Sequence, residues 1–295
     1  MYRSSYEALK NGNGKWLKAN FHTHAGVKKE QGPCGIHPLD DVVDAYKKAN
    51  YNVLAISNHN LYVSREKEYK DINIIDAIEY SNDPHMLLIG VNEFHNVPHQ
   101  EAINRTLVSG GFVILCHPNW QHQEYLSYDL LDTLTGYTGM EIMHGKQYYY
   151  PPGSSLALDK WDYILSKGKK TWGFGNDDFH EYVDTGRVYN MIYAKSANYE
   201  DIKEAVSSGC FYVSNGVALK EYSLEDDLLY VKAGYFKETY IKNFDYKITG
   251  AEGGVLYKAE CESVHFKIPK NEPYIRVEVT ADYGAKMYLQ PVFRD

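Results

Sequence analysis

The stretch 16–24 reads WLKANFHTH, a short apolar, β-prone run that ends in two imidazoles one residue apart, His22 and His24. In an extended backbone alternate side chains point to the same side, so both rings can reach one cation at about 2.0–2.2 Å. The same plan recurs along the chain. Up to about residue 213, short apolar runs at 16–21, 52–56, 86–91, 112–116, 140–143, 171–174 and 188–193 alternate with helical patterns, the signature of βαβ units around a parallel sheet. Seven strands are enough to curl into a barrel.

The helical segments are well marked. Leu39, Val42, Val43, Tyr46 and Ala49 recur at helical spacing, with Asp40 and Asp41 in the first turn and Lys47 and Lys48 in the last, as the helix dipole prefers. A second helix is predicted over 154–167 from the stripe Leu158, Trp161, Ile164 and Leu165, with Gly168 as its stop. A third is predicted over 199–208, capped by Asn198 and closed by Gly209. After Gly216 helix-period segments vanish, and β-type runs at 228–232, 274–280 and 287–292 are separated by turn residues. The division expected is an α/β barrel over 1–216 and a small all-β, sandwich-like domain over 217–295.

Polar residues gather directly after the predicted strands: His22 and His24 after the first, His59 after the second, Glu93 after the third, His117 after the fourth, Asp178 and His180 after the sixth. In a parallel barrel such positions converge on one mouth. Asp178-Phe179-His180 repeats the alternate-residue geometry of the opening pair with a mixed carboxylate and imidazole. Glu93 is the carboxylate expected to bridge two cations and to be essential for catalysis. Imidazoles with carboxylates suit zinc, manganese or iron.

Composition bounds the partners. The chain has 295 residues and a net charge of −8, which argues against a grip on long duplex nucleic acid and leaves a small phosphorylated substrate open, since bound cations can supply positive charge. Eleven of its 12 histidines lie in residues 1–180. No run is long enough for a membrane span or a signal core, so a cytoplasmic protein is expected. The four cysteines, Cys34, Cys116, Cys210 and Cys261, form no C-x-x-C pair, so neither a disulfide framework nor a zinc ribbon is indicated. Among 28 tyrosines, Tyr148, Tyr149 and Tyr150 are adjacent, and packing rather than a substrate wall is the expected reading.

The series FHTH, SNHN, GVNE, CHPNW and GNDDFH, in this order, resembles the PHP (polymerase and histidinol phosphatase) family of metal-dependent phosphoesterases over about residues 16–213. YIRVEVTADYGAKMYLQP resembles the C-terminal β-domain that follows many stand-alone PHP hydrolases. The resemblance implies a distorted seven-stranded, TIM-like (β/α)7 barrel with two or three divalent metals, zinc, manganese or iron, at its mouth. Carried over, His22, His24, Glu93 and Asp178 hold the first metal. Glu93, His117 and His99 hold the second, with His95 as the alternative to His99, and His59 and His180 hold the third. Two departures bear on the third position: Ser57-Asn58-His59-Asn60 replaces the usual T-D-H-D, and Gly32-Pro33-Cys34-Gly35 lacks the usual loop ligand, for which Cys34 or His37 is the substitute. A dinuclear site is therefore an alternative to a trinuclear one.

His85 opens a predicted strand and is expected to be structural, at the end of the barrel opposite the mouth. His122 and His144 lie in or near the mouth loops. Specificity is expected in the loops at 121–128 and 147–150, and Arg65 and Arg187 are the candidates for phosphate binding. The reaction expected is phosphoester hydrolysis, an in-line attack on phosphorus by water made nucleophilic between two cations, with His180 or His59 protonating the leaving oxygen when not metal-bound. The alternatives are an amidohydrolase-type metal hydrolase and a regulatory protein that keeps metals without turnover.

Overall fold

All seven expected strands form, but the sheet they build is neither all parallel nor a closed barrel. The computed structural model describes residues 2–146, 153–236 and 243–294, and the tyrosine-rich stretch 147–150 lies outside them. The strands are β1 (Tyr2–Arg3), β2 (Lys15–Asn20), β3 (Val53–Ile56), β4 (Asn73–Tyr80), β5 (Met86–Ile89), β6 (Phe112–Leu115), β7 (Gly139–His144), β8 (Trp172–Asn176), β9 (Tyr189–Ala194), β10 (Phe211–Ser214), β11 (Val217–Glu225), β12 (Leu228–Tyr235), β13 (Phe244–Thr249), β14 (Val255–Cys261), β15 (Ser263–Lys267), β16 (Tyr274–Thr280), β17 (Lys286–Leu289) and β18 (Val292–Arg294). The α-helices are α1 (Leu39–Lys48), α2 (His99–Val108), α3 (Tyr128–Thr133), α4 (Leu158–Ser166) and α5 (Tyr199–Ser208).

The large sheet runs β1-β18-β16-β17-β10-β9-β2-β3-β4-β5-β6-β7-β8, with β13 beside β16 and β14 outside β13. Two parallel blocks, β2-β3-β4 and β6-β7-β8, are joined through β5, which is antiparallel to both of its neighbours. β4 is the strand that sequence reasoning omitted. It makes β4-β5 a hairpin, and the hairpin reverses the direction expected of β5. Alternate residues of these strands, among them Leu17, Ala19, Phe21, Val53, Ala55, Ile75, Ala77, Leu87, Ile89, Phe112, Ile114 and Phe174, form one buried apolar cluster.

Helix ends follow local chemistry. Asn198 caps α5 by accepting from the Asp201 N–H, and Gly209 closes it in the left-handed conformation. α4 begins at Leu158, four residues later than expected, because the chain before it is engaged elsewhere: Leu156 bridges Met143, and the Ser155 carbonyl accepts from the His144 N–H. After α5 the described chain is strand and short turns. β17 pairs with β10, which carries the large sheet into the all-β part, while β11, β12 and β15 form a separate three-stranded sheet. Leu229, Val231 and Val264 from the small sheet share a core with Tyr246, Ile248, Val277 and Val279 from the large one. Arg276 on β16 grips Asp162 of α4 through two hydrogen bonds of 2.7 and 2.6 Å, both groups buried.

Beyond β7, β8 has no ladder partner among the described residues, and its other side is met by amide side chains. Asn190 accepts from the Gly175 N–H (3.0 Å) and donates to the Gly175 carbonyl (2.7 Å). Gln290 does the same for Gly173 at 2.9 and 2.7 Å. Asn176 in turn accepts from the Phe21 N–H, and an isolated bridge joins Thr23 to Phe179. A carboxamide offers one donor and one acceptor in the spacing of a peptide group, so it stands in for a strand. Replacing Asn190 by Leu leaves the Gly175 N–H and C=O buried without partners. The expected loss is at least about 2 kcal/mol of unfolding free energy, read by urea denaturation, with Gln290→Leu giving a loss of similar size.

Candidate metal centre

β2, β3, β4, β6, β7 and β8 all end at the same rim. β5, running the other way, begins there. This delivers His22 and His24 (after β2), His59 (after β3), Glu79 (on β4), His85 (before β5), His117 (after β6), His144 (at the end of β7), and Asp178 and His180 (after β8) to one place. Glu79 continues the inward row Ile75, Ala77, Glu79 of β4 and is fully buried.

Glu79 is the hub. Its Oε1 lies 2.9 Å from His85 Nδ1, 3.3 Å from His22 Nε2 and 3.5 Å from His117 Nε2. Its Oε2 lies 2.7 Å from His59 Nδ1 and 3.3 Å from His24 Nε2. One carboxylate thus faces two sets of imidazoles, one per oxygen. Opposite it, Asp178 Oδ1 lies 3.2 Å from His22 Nε2 and 3.1 Å from His24 Nε2, and Oδ2 lies 3.2 Å from His144 Nε2. Ligand atoms of four groups fall within 4.8 Å of one another: His22, Glu79, Cys116 and His117; His24, His59 and His180; His22, His144 and Asp178; His59, Glu79 and His85.

The rings are held from behind. Glu141 on β7 takes His22 Nδ1 at 2.9 Å, and also accepts from the His117 N–H (2.7 Å) and the Asn176 amide (2.9 Å). A carboxylate on the far nitrogen fixes the orientation of the ring and raises the basicity of the near one. Asp177 accepts from the Gly186 and Val188 N–H groups and from the Tyr46 and Tyr51 hydroxyls, and burial pushes its carboxyl up to about 6. His117 and Asp178 sit at φ +26° and +51°, a conformation that non-glycine residues rarely adopt.

The electrostatics follow from burial and charge. Burial alone opposes charge on His22, but Asp178, Glu79 and Glu141 prevail and hold its pKa well above the usual imidazole range. Burial pushes His24 down to about 3 and also lowers His117. Burial opposes ionisation of Glu79 and Asp178 too, yet the surrounding imidazoles hold both well below the usual carboxylate range. His24 Nδ1, His117 Nδ1 and His144 Nδ1 are buried without a hydrogen-bond partner. Unpartnered buried polar atoms are costly, and here they converge with carboxylate charge. This donor set fits divalent cations.

Of the expected site residues, the structure brings together His22, His24, His59, His117, Asp178 and His180. Glu93 and His99 are elsewhere. Because β5 enters at the rim, Glu93 emerges at the far end with its side chain 75% exposed, beside His95 at 3.7 Å, and Glu79 stands where Glu93 was expected. His99 is the first residue of α2 and its ring donates to the Pro84 carbonyl at 2.9 Å. The same reversal moves His85 from the far end into the centre. Arg65 pairs with Asp76 at 2.5 Å, and Arg187 donates to the Val183 carbonyl at 2.9 Å. Asn58, where an acid was the familiar residue, clamps Ala25 by accepting from its N–H and donating to its carbonyl, which a carboxylate cannot do. His37 pairs with Glu181 at 2.9 Å. His122 is exposed, whereas His144 is buried in the cluster.

No protein-family model and no curated protein matches the sequence. Solved structures do. A two-domain protein from Bacteroides vulgatus containing a predicted PHP-like metal-dependent phosphoesterase superposes with a TM-score of 0.53 at 13% identity, over 96% of this chain and 88% of that one. PsfC from Pseudomonas syringae gives 0.44 at 12% identity, over 65% of this chain and 87% of that one. The likeness lies in the fold: along nearly its whole length the chain resembles a two-domain protein that contains a predicted PHP-like domain. No helix among the described residues is long and apolar enough to cross a membrane.

Two outcomes follow from the geometry. Glu79→Gln loses most bound metal by elemental analysis of the folded protein, whereas Glu93→Gln and His99→Ala keep wild-type stoichiometry. His22 carries a proton near neutral pH in the metal-free protein, so loading with a divalent cation releases protons into weakly buffered solution and affinity falls as pH falls; loading without proton release contradicts this charge assignment.

Proposed function

We propose that this protein is a metal-dependent hydrolase of small phosphoesters, of the PHP type. The observation that carries the reading is the two-sided contact of buried Glu79: Oε1 toward His22, His85 and His117, Oε2 toward His24 and His59. That is the arrangement by which one carboxylate serves two cations, and Asp178 supports the His22 and His24 side. We assign an inner pair of positions to these residues and His144. An outer position at His24, His59 and His180 shares Glu79 Oε2 and Asp178 Oδ1 with the inner pair, and with two of its three rings partly exposed it binds its cation more weakly. The cations are zinc, manganese or iron. When bound, they lower the pKa of water and neutralise charge on the phosphoryl oxygens.

The chain's own groups do the rest. Glu79 and Asp178 set the spacing, Glu141 holds His22, and the far-end plug of apolar side chains closes the floor beneath the site. His59 and His180, with side chains 33% and 19% exposed, are the rim histidines that meet substrate and present a ring N–H to the leaving oxygen when the outer position is empty. Lys146 beside Asp184 at 3.7 Å is a further cation near His144. The net charge of −8 favours small substrates over long duplexes, and a cytoplasmic setting is part of this proposal.

The test is a panel of small phosphoesters against amide and lactone substrates, run on one metal-replete preparation. Phosphoester turnover is expected, abolished by chelation and by Glu79→Gln, with Glu93→Gln unaffected. His180→Ala is expected to lower kcat by about 10²-fold or more, the usual scale for loss of a proton donor. Turnover confined to amides or lactones, or none on any substrate, overturns the reading.

A further inference from the structure

Cys116 stands immediately before His117 and continues the inward row Phe112, Ile114, Cys116 of β6, so it forms part of the floor of the metal centre rather than its rim. It is fully buried and is a free thiol. Its Sγ, one atom each of His22 and His117, and one oxygen of Glu79 all lie within 4.8 Å of one another. The sulfur's hydrogen bond to the Ile114 carbonyl is 4.0 Å long, too weak to occupy it. Independently of the cysteine, His117 Nδ1 is buried with no hydrogen-bond partner and His22 Nε2 meets only the carboxylate oxygens Glu79 Oε1 (3.3 Å) and Asp178 Oδ1 (3.2 Å), which marks this position as one built for a ligand.

We propose that Cys116 supplies a sulfur ligand from the floor of the inner metal position, giving it a mixed nitrogen, oxygen and sulfur donor set that selects zinc, cobalt or cadmium over manganese or magnesium. The inference rests on the cluster holding metal, and it adds what none of the histidines settles, the softness of the site. Thiolates favour soft and borderline cations, whereas carboxylate and water suit the hard ones. As the sulfur–metal bond forms, the Sγ–H bond breaks and its proton leaves to solvent. Burial also shields it from ordinary thiol reagents.

The experiment loads metal-free full-length protein with Co(II) and records the near-ultraviolet absorption. A sulfur-to-cobalt charge-transfer band is expected in the wild type and in Cys34→Ser, and is expected to be lost in Cys116→Ser and Cys116→Ala while the visible bands of nitrogen- and oxygen-bound cobalt remain. In competition, the preference for Cd(II) over Mn(II) is expected to fall at least about tenfold in Cys116→Ser, since even outer-shell changes cost 10–100-fold in affinity. Cadmium-113 NMR of the wild type alone, which needs no variant to fold, is expected to show a resonance displaced toward sulfur-ligated values. No charge-transfer band, a band lost in Cys34→Ser instead, or a cadmium resonance typical of nitrogen and oxygen ligands only overturns the inference. None of these readouts involves turnover, so an inactive phosphoester panel with a cobalt–sulfur band refutes the catalytic reading alone.

Discussion

One buried carboxylate surrounded by five imidazoles is the constraint from which the rest of this structure follows. Glu79 has almost no solvent access, and its two oxygens lie 2.7–3.5 Å from rings contributed by four different segments of chain. A charge taken out of water is tolerable only when its surroundings answer it. The fold answers by ending β2, β3 and β6 at the rim where Glu79 stands on β4 and starting β5 there, so that each of these four strands places at least one histidine against the same group. Displacing Glu79 by one residue along β4 would turn it to the other face of the sheet, since strand side chains alternate.

What could be read in advance divides along physical lines. His22, His24, Asp178 and His180 were legible because alternate-residue pairs at the end of an extended run converge on one side by backbone geometry alone, and the structure joins the two motifs through the Thr23–Phe179 bridge. α1 and α5 were legible from charge, caps and periodicity. Glu79 was not. Its strand reads NIIDAIEY from Asn73, apolar on both faces yet carrying Asp76 and Glu79, so neither clean alternation nor a pure apolar run flags it. The usable signal was parity: Ile75, Ala77 and Glu79 share a face. Omitting β4 then inverted β5, which put Glu93 at the rim and His85 at the far end when each belongs at the other. Glu141 escaped because it lies within a strand rather than after one; His144 was placed near the mouth but not among the ligands, and Asn58 was missed because its value is the amide's ability to donate as well as accept.

Behind the cluster lies a second tier whose members touch backbone more than one another. Asp177 receives the Gly186 and Val188 N–H groups, Asn20 receives that of Asp177, Asn176 that of Phe21, and Glu141 that of His117. These contacts fix the chain on either side of His22, His117 and Asp178, two of which hold unusual positive φ values. The neighbouring carboxyls Asp177 and Asp178 are driven in opposite directions: burial dominates the first, while imidazoles dominate the second. Adjacent residues of one type thereby serve as an anchor and as a candidate ligand.

The amide-lined margin of β8 has a bearing on how the molecule assembles. Strand ladders lock a sheet by repetition, whereas this margin is fastened at a few points by Asn190, Gln290 and Asn176. The two motifs richest in metal donors lie on its opposite banks, His22 and His24 on one, Asp178 and His180 on the other. A cation held between them would tie residue 22 to residue 178, closing a very long loop across this margin, and long loops are where a cross-link constrains the unfolded chain most. An ion there would act as a rivet in the architecture, and its occupancy would be coupled to folding.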